Sequence, residues 1–75
     1  MKIAVEDLVL QAKAGEKLVL DAFEYSANDL LRVAAAAAGH ENSVVIANAR
    51  RGLDTNEQVM IMLTGGGAVM LRLDE

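Results

Sequence analysis

Val59-Met60-Ile61-Met62-Leu63, then Thr64-Gly65-Gly66-Gly67, then Ala68-Val69-Met70-Leu71: the fold of this chain turns on how these residues are read. Read as helix, glycine stop and strand, they complete the third unit of a repeat. Read as two apolar runs around a glycine turn, they form a β-hairpin. An apolar run of five carries no periodicity that separates the two. Residue type and context favour the helix. Methionine and leucine are better helix formers than the β-branched residues a strand prefers. Asp54 followed by Glu57 also resembles the start of a capping box.

Working outward, the same order of features recurs. Asp7-Leu8-Val9-Leu10-Gln11-Ala12-Lys13-Ala14-Gly15 leads to Leu18-Val19-Leu20. Asp29-Leu30-Leu31-Arg32-Val33 and the alanines 34–38 lead to Gly39 and then Val44-Val45-Ile46. Glu57 to Gly65 leads to Val69-Met70-Leu71. Each unit is an acidic residue, a helix-like stretch, a glycine and a short strand. The strand starts at Leu18, Val44 and Val69 are 26 and 25 residues apart, room for one helix and one strand per unit. A repeat of this kind predicts architecture.

Local signals place the elements. The first helix begins near Val5, with Glu6 and Asp7 where carboxylates complement the helix dipole, and stops at Gly15. Lys17 to Phe23 reads as a strand. Ser26 is the expected N-cap of a second helix, with Asp29 three residues on and Gly39 at its end. The alanine run makes that helix thin enough to pack closely. Val44 to Ala49 and Ala68 to Leu73 read as the second and third strands.

The expected fold is therefore α/β. One domain, residues 1–75, contains three helix–strand repeats. They form a small three-stranded parallel sheet in sequential order, with right-handed crossovers and helices on one face. The alternative is an α+β fold with a C-terminal β-hairpin at 59–73. The arrangement resembles short α/β solenoids of the leucine-rich-repeat type. The diagnostic LxxLxLxxN ladder is absent, so the resemblance implies an architecture and no function.

Composition narrows the function classes. A net charge of −4 gives no overall attraction to phosphate backbones. One Phe, one Tyr and no Trp provide no stacking platform for bases. Nucleic acid is not expected as a partner. No run free of polar side chains is longer than Val33 to Gly39, far short of the ~20 residues a membrane helix needs, so no membrane partner is expected either. The absence of cysteine and an amino terminus that turns acidic early are those of a cytoplasmic chain.

No catalytic constellation is legible, and the chain is read as a non-enzyme with no cofactor and no metal. His40 with Glu41 beside it reads as a loop pair. Thr64-Gly65-Gly66-Gly67 lacks the ending and spacing of a phosphate-binding loop. What the pattern does predict is a surface. Parallel sheets normally have both faces covered, and here no element remains for the second face. Alternation puts Leu18, Leu20, Ala22, Val69, Leu71 and Leu73 on the covered side. It puts Val19, Asp21, Phe23, Met70, Arg72 and Asp74 on the other, and Val45, Ala47 and Ala49 are assigned with them. The sequence leaves open which face of the middle strand is buried, because Val44, Val45 and Ile46 are all apolar. Val19, Asp21, Phe23, Val45, Ala47, Met70 and Arg72 are the candidate interface of a protein-interaction or self-assembly module, its partner a second copy or another protein. A second expectation is a small anion-binding regulatory module that uses Ser26, Arg50 and Arg51 near the carboxyl ends of the strands.

Overall fold

A computed structural model of the chain describes residues 3–72. In chain order the elements are α1 (Val5–Lys13), β1 (Leu18–Asp21), α2 (Ala27–Ala37), β2 (Val44–Ala47), α3 (Ala49–Gly52), α4 (Thr55–Gly65), a 3₁₀ turn at Gly66–Ala68, and β3 (Val69–Leu71). The strands form one parallel sheet in the order β1-β2-β3. The contested run is a helix. Asp54 accepts from the Glu57 amide and the Glu57 side chain accepts from the Asp54 amide, the reciprocal capping box. The hairpin alternative at 59–73 is therefore overturned over its described part: Val59 to Leu63 lies within α4, and β3 pairs with β2 instead.

The glycines at the end of α4 differ in what they do. Gly65 is inside the last helical turn, and a Cβ there would collide with Val69 Cγ2 and stand 3.3 Å from Ala34 Cβ. Its missing side chain lets α4, α2 and β3 meet closely. Gly66 has φ 59° and ψ −135°, a conformation only glycine adopts readily, and it turns the chain towards β3.

The core lies between sheet and helices. Leu18, Leu20, Val44, Ile46 and Val69 from the strands pack with Leu8, Leu30, Val33 and Ile61 from α1, α2 and α4. The central helix, α2, packs against both α1 and α4. Its Ala34 and Ala37 are fully buried, so the alanine run does serve close packing. Ser26 caps α2 by accepting from the Asp29 amide at 3.2 Å. Tyr25 ties down the amino-terminal segment: its hydroxyl donates to the Ile3 carbonyl and accepts from the Ile3 amide.

All three strands are shorter than expected, and β3 starts only at Val69 because Ala68 still belongs to the 3₁₀ turn. β1 ends at Asp21 because Asp21 Oδ1 accepts from the Phe23 amide at 2.8 Å and folds the chain into a turn. β2 ends at Ala47 because Asn48 is left-handed, with φ 59°. The short helix α3 follows, so Ala49 is buried in the core and does not belong to the exposed sheet face. Leu73 and Asp74 lie outside the described residues.

Candidate functional site

Register decides what the uncovered face displays. Val19 pairs with Val45, and Val45 with Met70, so these three stand in one row across the sheet. Asp21 pairs with Ala47 in the next row. Arg72 continues the β3 ladder one residue past the Ile46–Leu71 pair, its amide donating to Ile46 O, and so stands in that row too. The rows read valine, valine, methionine and then aspartate, alanine, arginine.

These side chains point away from the helices, because their neighbours Leu18, Leu20, Val44, Ile46 and Val69 fill the core. Val19 is 67% exposed and Met70 50%. Val45, Ala47 and Asp21 are half-buried, and Arg72 is exposed. Phe23 is 62% exposed in the turn just beyond β1. The face is an apolar row beside a row with a carboxylate at one edge and a guanidinium at the other.

Asp21 is held in place. Asn48 Nδ2 donates to Asp21 Oδ1 at 3.1 Å, and the Phe23 amide donates to the same oxygen. The left-handed turn at Asn48 that stops β2 thus also aims an amide at β1. This link joins residues far apart in sequence, and no local signal announces it.

The other sequence-derived residues are separated from one another in role. Ser26 Oγ is engaged as the α2 cap. Arg50 lines a cleft of about 540 Å³ with Leu53, Asp54, Thr55 and Gln58. The Asp54 carboxylate in that cleft opposes an anion, and Asp54 and Glu57 already complement the start of α4. Arg51 is exposed on α3, which has four residues. Gln58 Nε2 donates to the carbonyls of Ala49 and Leu53, so the floor of the cleft is structural.

His40 is exposed but not detached: its Nε2 is 3.2 Å from the Lys13 carbonyl at the end of α1, and its ring lies beside Gly15. Ser43 Oγ is buried without a hydrogen-bond partner among the described residues, while its carbonyl accepts from the Leu18 amide. The described residues bring together no group of three His, Cys, Asp or Glu suited to a metal ion. Among them, no helix is long and apolar enough to cross a membrane.

One surface went unforeseen. The outer flank of α4 exposes Val59, Met60, Met62 and Leu63, the last at 79%. Val59, Met62 and Leu63 border a shallow apolar depression of about 390 Å³ beside Leu71. The signal was in the run itself. Five consecutive apolar residues in a helix cannot all face one core, so some must point outward. No family model, characterised protein or solved structure matches the chain.

Proposed function

We propose that the chain is a non-enzymatic association module whose uncovered sheet face receives another protein surface. The observation that carries this reading is the apolar row Val19–Val45–Met70, exposed at Val19 and Met70 and half-buried at Val45, on a parallel sheet covered by helices on one side only. Such sheets are normally covered on both faces. Covering this one removes valine and methionine from water at a gain of roughly 25 cal/mol per Å².

The test is size-exclusion chromatography with light scattering over a wide concentration range. Val45→Lys and Met70→Lys each place a charge in the middle of the apolar row, and association is expected to be abolished. Circular dichroism checks that both variants remain folded. Oligomerisation unchanged in both would overturn the sheet face as the site.

A further inference from the structure

The charged row says which surface fits. We infer that the partner is a second copy of this chain, stacked face to face about a two-fold axis that runs along β2, within about 15° of it, above the uncovered face. The inference rests on the association reading above and specifies its geometry.

Consider a half-turn about that axis. It keeps strand direction and exchanges the sheet edges, so β1 of the second copy lies over β3 and its β3 over β1. Val45 then meets Val45 of the second copy, and Ala47 meets Ala47. Val19 meets Met70, and Asp21 meets Arg72, each contact occurring twice. Small residues stand at the axis, larger apolar ones beside it, and opposite charges face each other at the rim. A two-fold interface must be self-complementary in this way.

Two other in-plane axes fail on charge. An axis across the strands, between the two rows, sets Val19 against Asp21 and Met70 against Arg72, and so buries charge against apolar side chains. An axis across the strands along the charged row sets Asp21 against Asp21 and Arg72 against Arg72. Of these three axes, only the one along β2 pairs opposite signs. The Asn48 amide supports the match by fixing the Asp21 carboxylate.

Reach is adequate. Facing sheets stand about 10 Å apart with strand directions about 30° apart. An edge position ~5 Å from the axis is displaced by only about 2.5 Å, which a long arginine side chain spans. Strength is modest. Three short strands put this contact at the small end of interface sizes, below about 1,200 Å² in total. The rim ion pairs add orientation more than affinity.

Sedimentation equilibrium up to about 1 mM protein suits so small an interface. The variants are Asp21→Lys, Arg72→Glu and the two combined. Each single reversal creates two like-charge contacts and is expected to weaken the dimer about tenfold or more. The double reversal restores opposite pairs and should return the dissociation constant to within about threefold of the original. Net charge alone gives a different pattern: Asp21→Lys makes the chain less acidic and would tighten association, while Arg72→Glu would weaken it.

That asymmetric pattern overturns the inference. So do single reversals without effect, a double variant as weak as the singles combined, and a monomer throughout the range. If Asp21→Lys unfolds through loss of its bond to Asn48, Asp21→Asn decides, since it keeps an acceptor oxygen for Asn48 and the Phe23 amide: under the pairing it weakens the dimer, whereas net charge alone tightens it, and a tighter or unchanged dimer counts against the pairing. Loss of association in Val45→Lys with inert charge variants leaves the face standing and removes only the two-fold geometry. Association that survives Val45→Lys but is lost in Leu63→Lys moves the interface to α4 and removes both.

Discussion

At Asn48, backbone conformation and side-chain chemistry coincide. Its φ of 59° stops β2, and its amide reaches Asp21 on β1. A left-handed backbone is costly for most side chains, and asparagine is one of the few that tolerate it. Alanine here would bear the conformational cost and lose the hydrogen bond. Glycine would lose only the bond. Asn48→Ala is therefore expected to destabilise the fold by about 2 kcal/mol and Asn48→Gly by about half as much. Urea denaturation gives both values. If glycine proves the worse substitution, the left-handed turn contributes nothing beyond the side-chain bond.

At the scale of elements, α4 is fixed at both ends by different physics. The capping box satisfies its first amides. Its last turn depends on space, because Gly65 lies against Val69 and Ala34. Gly65→Ala overpacks that three-way contact and is expected to cost about 1–3 kcal/mol. Gly67 is the natural control: a Cβ there would meet only Glu41 Cγ, at 3.9 Å. Gly67→Ala should therefore stay within about 0.5 kcal/mol. Thermal unfolding of the two variants separates a packing requirement from a general preference for glycine. Equal effects would remove close approach as the reason for Gly65.

At the scale of the whole molecule, one sheet with one helix layer leaves the second sheet face uncovered, with Val19 and Met70 exposed. A domain this small hides only about 60% of its unfolded surface, so covering the second face bears directly on stability. Association that occurs only in the folded state raises the unfolding temperature as concentration rises. The unmodified chain should show that rise in calorimetry between dilute and concentrated samples. Val45→Lys should show none. A flat response in the unmodified chain would mean that self-association contributes nothing to its stability.

Much of the architecture was legible because it rests on local chemistry. Ser26, Asp54 with Glu57, and the positive-φ glycines Gly15, Gly39 and Gly66 past α1, α2 and α4 mark element ends through bonds or conformations made within a few residues. Period-two alternation in β1 and β3 assigned Leu18, Leu20 and Val69 to the core and Val19 and Met70 to the open face. Alternation was silent in β2, where Val44, Val45 and Ile46 are equally apolar. Pairing with Leu18 and Leu20 on one side and with Val69 and Leu71 on the other decided that Val44 and Ile46 turn inward.

The end of β2, the burial of Ala49 and the bond from Asn48 to Asp21 were likewise decided by contacts between distant residues. So was the alignment of Asp21, Ala47 and Arg72 in one row, since register between strands belongs to no single segment. The sequence by itself determined where α1, α2 and the three strands begin, because caps, glycines and apolar alternation act over a few residues. Tertiary structure alone decided which side chains share a surface, because that depends on how those segments lie against one another.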